Sequence, residues 1–211
     1  MTSYSKKLII SPHADDEVLG CFSVMDADTD VAIISINEDE LKYQNRPPFK
    51  DREDEVSKLY KHLNYEVGHC VLTHFPVCYY QVRNCIETIE ECINERQPHE
   101  IYIPTPISYN QDHKVVYEAC MVALRPHDKN WFVSKVLVYE QPHTFLWSDE
   151  QFKPQYFRKL DIKKKLEAYS LYETQVRSFR SHDTITSIAK LRGKQSNQDY
   201  AEAFEIQRWV E

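Results

Sequence analysis

Short apolar runs alternate with helical patterns along the first two-thirds of the chain, and this alternation restricts the possible folds more than any other feature. Residues 7–11, 31–36, 67–75, 100–104 and 135–139 read as five strands. Between them, residues 15–25 carry Val18, Leu19, Phe22 and Met25 at helical spacing, and residues 51–63 carry Val56, Leu59, Tyr60 and Leu63. Residues 79–96 repeat apolar side chains at Val82, Cys85, Ile86, Ile89 and Ile93, and residues 112–124 form a further helix. Strands joined by helices make βαβ units, so the pattern predicts an α/β fold: a mostly parallel sheet covered on both faces, in three layers. Residues 156–160 are expected as an edge strand, 161–175 as a helix, and 184–191 as a last helix stopped at Gly193. With no repeat, low-complexity segment or linker, residues 1–211 are read as a single domain.

Composition removes several function classes. The chain has 3 glycines among 211 residues, where average usage of ~7% would give roughly 15. No glycine-cradled phosphate loop and no strained serine elbow can be written with Gly20, Gly68 and Gly193. A formal charge of −7 argues against a general nucleic-acid binder and suits a small neutral or cationic partner. No apolar run is long enough for a transmembrane helix, and the opening residues do not read as a signal peptide. Six cysteines without a C-x-x-C spacing are read as reduced, mostly buried thiols, and the expected location is cytoplasmic.

The chemistry lies at strand ends. The first strand runs into Pro12-His13-Ala14-Asp15-Asp16-Glu17, and ligands of open parallel sheets gather outside the carboxyl ends of the strands. His13 and Asp16 are spaced so that one turn of backbone can aim both at a single point. Imidazole nitrogen and carboxylate oxygen are ligands of catalytic zinc, at ~2.0–2.2 Å. Asp15 would point elsewhere, free to act as a general base or, alternatively, to cap the next helix. After the fourth strand, residues 105–113 lead to His113 at another helix start. In the strand order 3-2-1-4-5 the first and fourth strands are neighbours at the switch point. His13, Asp16 and His113 would then form a three-ligand site with open positions, as in catalytic rather than structural zinc centres.

Residues 11–21, SPHADDEVLGC, resemble the A-H-P-D-D-E-x-x-G-C signature of the PIG-L/LmbE-like family of zinc-dependent N-acetylglucosaminyl deacetylases. Asn110-Gln111-Asp112-His113 with Val116 and Ala119 resembles its second motif, H-P-D-H-x-x-x-x-x-A, and Arg52 with Glu55 its R-x-x-E. Late matches follow at Phe152 and Pro154, at Asp161, Ile162 and Lys165, at Tyr172 and Gln175, at Arg192 and Gly193, and at Tyr200, Ala201, Glu202 and Phe204.

The resemblance implies a Rossmann-like three-layer fold, sheet order 3-2-1-4-5 plus an edge strand, and removal of the N-acetyl group from an N-acetylglucosamine-type conjugate. It implies one Zn2+ per chain, other divalent metals being admissible, held by His13, Asp16 and His113, with metal-bound water as nucleophile and Asp15 as base. Arg52, His143 and Glu202 are the expected substrate-binding residues, and Asn110 and Asp112 join Asp15 as expected catalytic residues. The expected partner is a small amino-sugar conjugate, not nucleic acid; a homo-oligomer is left open. Two departures stand out. Ala14 replaces a proline of the first motif. Asn110 replaces the first histidine of H-P-D-H, and an amide can donate a hydrogen bond but cannot carry a proton. His143, after the fifth strand, or His182 could supply the missing imidazole. A catalytically impaired metal-containing sugar-binding or regulatory protein is the competing expectation.

Overall fold

The computed structural model describes residues 6–35, 49–63, 70–72, 82–147 and 150–211. The strands among them form one sheet. β1 (Lys7–His13), β2 (Thr29–Ser35), β3 (Cys70–Leu72), β4 (Glu100–Pro104), β5 (Lys135–Tyr139), β6 (Tyr156–Lys159) and β7 (Ala201–Trp209) lie in the order β3-β2-β1-β4-β5-β7-β6. The first five are parallel; β7 runs antiparallel to β5 and to β6. The chain winds outward from β1 through β2 to β3, then returns to place β4 on the other side of β1. β1 and β4 therefore flank the switch point, and their carboxyl ends at His13 and Pro104 share one rim with the end of β5 at Tyr139.

Both sheet faces are buried. Alternate β1 residues face opposite ways: Ile9 enters one apolar cluster with Val18, Leu59, Tyr169 and Phe204, and Ile10 enters the other with Ile89, Ile93 and Val116. The helices carrying these residues are α1 (Asp16–Cys21), α2 (Phe49–Leu63) and α6 (Ile162–Tyr169) on the first face, and α3 (Val82–Arg96) and α4 (Gln111–Ala123) on the second. A short helix, α5 (Pro142–Trp147), starts directly after β5. On α3, Cys85, Ile89, Cys92 and Ile93 form the buried stripe expected from their spacing. Each fully buried isoleucine contributes ~1.5–3 kcal/mol. Cys21, Cys85, Cys92 and Cys120 are buried; Cys78 and the side chain of Cys70 lie outside the described residues.

Several expected boundaries shift. The first helix stops at Cys21 and continues as a 3-10 turn, Phe22–Val24. Of the third strand only Cys70–Leu72 falls in the described residues, and 64–69 and 73–81 lie outside them. The helix expected over 161–175 ends at Tyr169. Ser170 Oγ donates back to Leu166 O (2.7 Å), and Tyr172 and Thr174 are drawn inward by the tertiary bonds described below. The last helix, α7 (His182–Gln195), continues past Gly193 instead of stopping there. That glycine is required by packing, since a Cβ would sit 2.5 Å from Asp199 O. β7, which the apolar pattern does not mark as a strand, separates β5 from the edge strand β6.

Candidate metal centre

The site begins where β1 ends. Its polar core is the turn from His13 to Glu17. Glu17 holds this turn from inside: its Oε2 accepts the Asp15 N–H (3.1 Å), and its own N–H donates to Ser11 Oγ (3.1 Å). Tyr172 OH donates to Glu17 Oε1 (2.5 Å). Burial pushes the Glu17 carboxyl up to about 7, with the Tyr172 bond opposing. The cost of this tight turn falls on Asp15, whose φ is 121°. A non-glycine residue in that region is strained, and such strain gathers at functional sites.

That geometry separates the two neighbouring aspartates. Asp16 Oδ2 lies 3.2 Å from His113 Nε2 and 3.3 Å from His13 Nδ1, and accepts the His13 N–H at 3.0 Å. Asp15 occupies the N-cap position of α1 yet makes no capping bond. Its Oδ2 instead takes a 2.5 Å ion pair from Arg180 Nη1. Burial raises the pKa of Asp15 against the pull of Arg180, and the Asp16 charge adds to the rise. Asp16 goes the other way: burial opposes its ionisation, but His113 and His13 hold it well below the usual carboxylate range.

His13, Asp16 and His113 offer ligand atoms that all lie within 4.8 Å of one another. Burial disfavours the His13 imidazolium, yet the Asp112 and Asp16 carboxylates outweigh it and raise its pKa to about 10. Two imidazoles and a carboxylate are a donor set suited to zinc and to other borderline divalent metals.

The remaining expected residues divide. Asp112, in the first turn of α4, accepts from His13 Nε2 at 2.8 Å. His143, on α5, packs its ring edge-on against His113 with centroids 5.4 Å apart. Burial and the neighbouring His113 lower its pKa to about 4. Arg52 on α2 is buried and donates from Nη2 to Ala14 O (2.6 Å). Its Nη1 lies 3.9 Å from Glu55 Oε2, and neither Nε nor Nη1 has a hydrogen-bond partner among the described residues. Glu55 is occupied by the Thr174 N–H (2.7 Å) and hydroxyl (2.9 Å). The structure places Arg52 against the turn that carries Asp15 and Asp16.

Two expected residues make contacts that spacing did not indicate. Asn110 is exposed, and its Oδ1 accepts the Asp112 N–H at 2.9 Å from an extended backbone. It is the N-cap of α4, and its Oδ1 is engaged there. Glu202 does not face the site. From β7 it accepts the Phe22 N–H (3.1 Å) and Ser23 N–H (2.7 Å) and pairs with Lys165 Nζ (2.6 Å), all behind α1. Lys165 also donates to Leu19 O at 2.7 Å. Glu202 anchors the far end of the helix that carries Asp16.

Sequence reasoning missed Arg180. It lies on the 3-10 turn Ser178–Arg180, 165 positions from Asp15, and no local pattern marks it. Gln175 Oε1 accepts from Arg180 Nη2 at 3.3 Å, so the 172–180 segment grips the turn and its neighbour α2 at Glu17, Glu55 and Asp15 together.

Comparisons with known proteins agree with this arrangement. The sequence profile of the GlcNAc-PI de-N-acetylase family, PIG-L, matches residues 8–124, which include His13, Asp16 and His113. A comparison with curated proteins gives no significant match. Among solved structures, the conserved protein TT1542 from Thermus thermophilus superposes with a TM-score of 0.77 at 18% identity, over 98% of this chain and 96% of that one. The N,N'-diacetylchitobiose deacetylase from Pyrococcus horikoshii gives 0.76 at 16% identity, over 97% and 84%. GalB, the 4-carboxy-2-hydroxymuconate hydratase from Pseudomonas putida, gives 0.66 at 19% identity, over 98% of both chains. At these identities the structural likenesses establish the shared fold, which carries more than one reaction. The profile match, spanning more than half of the chain and both strand-end motifs, is what assigns lineage: the chain belongs to the PIG-L de-N-acetylase family.

Proposed function

We propose that the protein is a zinc-dependent hydrolase that removes the acetyl group from an N-acetylglucosamine-type conjugate. The observation that carries this reading is the largely buried His13–Asp16–His113 cluster at the β1/β4 switch point, with Asp15 in the same turn as Asp16 and paired to Arg180. A divalent ion bound there would bring the pKa of a water to about 7 and polarise an amide carbonyl. Asp15 takes the proton of the attacking water and returns it to the leaving amine. Its burial suits this role, since desolvation raises its pKa and makes it a better proton acceptor than an ordinary carboxylate. Arg180 fixes the Asp15 carboxylate and keeps one of its oxygens engaged. Arg52, whose Nε and Nη1 have no hydrogen-bond partner among the described residues, binds the polar part of the conjugate from the adjoining wall. His143, on α5 and packed against His113, is placed to contact the bound conjugate beside the cluster.

Because Asn110 caps α4, the imidazole expected at that position has no replacement there. This favours a second reading in which the chain binds its amino sugar with little turnover. One experiment separates the two. Zinc-loaded protein is incubated with a panel of N-acetylated amino-sugar conjugates, N,N'-diacetylchitobiose among them, and released acetate and free amine are measured beside ligand binding. Release of acetate supports the hydrolase; binding with no acetate supports the second reading. No binding and no release across the panel would reject both.

A further inference from the structure

We propose that Asp112 orients His13 for the metal: it fixes which imidazole nitrogen faces the ion. The inference rests on the metal-centre reading above. An imidazole that gives one nitrogen to a metal must present its other nitrogen as N–H, and an acceptor for that N–H sets both tautomer and ring angle. His13 Nε2 is 2.8 Å from Asp112 Oδ2, so Nε2 is the protonated nitrogen. With Nε2–H committed to Asp112, Nδ1 is the nitrogen left to give up its proton and offer a lone pair to an ion, and it is the atom that faces Asp16, at 3.3 Å.

Asp112 is held for this task and for little else. Its backbone N–H is fixed by the Asn110 cap (2.9 Å), which sets the first turn of α4. Its carboxylate is buried; Oδ2 bonds to His13 and Oδ1 has no hydrogen-bond partner among the described residues. A buried carboxylate with a single side-chain bond is a costly way to stabilise a fold, and its placement is explained by what it does to the histidine. The two ligand histidines are unequal in this respect. His113 Nδ1 is buried without a hydrogen-bond partner among the described residues, so only His13 has a carboxylate behind it. One turn of α4 thus supplies a ligand, His113, and the residue that aims the opposite ligand across the β1/β4 boundary.

The test uses the whole chain and the metal alone. Dissociation constants for Zn2+ are measured by competition with a chromophoric chelator for wild type, Asp112→Ala, Asp112→Asn and His13→Ala, and the Co2+ absorption spectra are compared. Long-range 1H–15N spectra of the zinc-loaded protein report the His13 tautomer. We expect Asp112→Ala to weaken binding by ~10–100-fold, the usual cost of losing such a partner, with an altered Co2+ spectrum. Asp112→Asn, whose oxygen can still accept from Nε2–H, should lose less and keep the Nε2–H tautomer. Melting of the metal-free proteins in chelator should not follow this order, as it would for a purely structural role. Wild-type affinity in a folded Asp112→Ala protein, or His13 protonated at Nδ1, overturns the proposal. A loss as complete as that of His13→Ala overturns it too, by making Asp112 a ligand. If Asp112→Ala does not fold, Asp112→Asn with the wild-type tautomer decides. A wild-type chain that takes up neither ion rejects the metal centre itself, a distinct outcome.

Discussion

Replacing Glu202 by alanine is expected to destabilise the protein by ~3–5 kcal/mol, the cost of removing one partner from a buried ion pair. The Glu202–Lys165 pair is 2.6 Å long, and the two side chains are 6% and 4% exposed. Without the carboxylate, the Lys165 ammonium keeps Leu19 O as a partner but has no counter-charge, and the Phe22 and Ser23 amides lose their acceptor. At ~2–4 °C per kcal/mol for a chain of this size, Tm should fall by roughly 10 °C. Urea unfolding followed by circular dichroism gives the free energy, and calorimetry the Tm. Changing both residues, Lys165→Met with Glu202→Leu, removes the stranded charge and should cost clearly less than Glu202→Ala alone. Metal affinity should fall only modestly, because Glu202 acts on the end of α1 opposite Asp16. A Glu202→Ala protein that melts like wild type but shows a raised KM for an amino-sugar substrate would refute this reasoning and return Glu202 to the substrate site.

Other expectations concern single contacts. Asp15→Asn should retain zinc and lower kcat by ~10²–10⁴-fold; unchanged turnover with bound metal would remove Asp15 as the base. Asn110→Ala should cost ~1 kcal/mol in urea unfolding with kcat intact, and a selective fall in kcat would show that the amide has a catalytic task. Gly20→Ala should destabilise by ~1–3 kcal/mol, because its Cβ would enter the Tyr139 ring, which is pinned by a 2.9 Å bond from its hydroxyl to Ile10 O; thermal melting checks it. Arg180→Met should leave zinc content unchanged while lowering kcat, because Arg180 contacts Asp15 and is not among the metal-ligand candidates. Equal loss of metal and activity would assign Arg180 to the structure of the turn.

Much of this architecture was legible in the sequence because it depends on local periodicity. Short continuous apolar runs marked β1, β2, β4 and β5, and the 3.6-residue stripe marked α3. Parallel strands joined by helices must place their carboxyl ends together, so His13, Asp16 and His113 could be brought to one rim from spacing and strand order. Hydrogen bonds between distant segments carry no such period. The Arg180–Asp15 pair spans 165 positions, Tyr172–Glu17 spans 155, and Glu202–Ser23 spans 179. Each is fixed only when the sheet has formed and the last third of the chain folds back over it. Sequence supplied the right residue at 202 with no reason for it; the antiparallel seat of β7 beside β5 turns it toward α1 and away from the site. Asn110 shows the same division. Its kinship with a catalytic position could be read from the motif, but whether its oxygen would take the Asp112 amide as a cap depended on the backbone angles of one residue. Those angles are set by the β4–α4 connection as it packs, and they make Asn110 a cap.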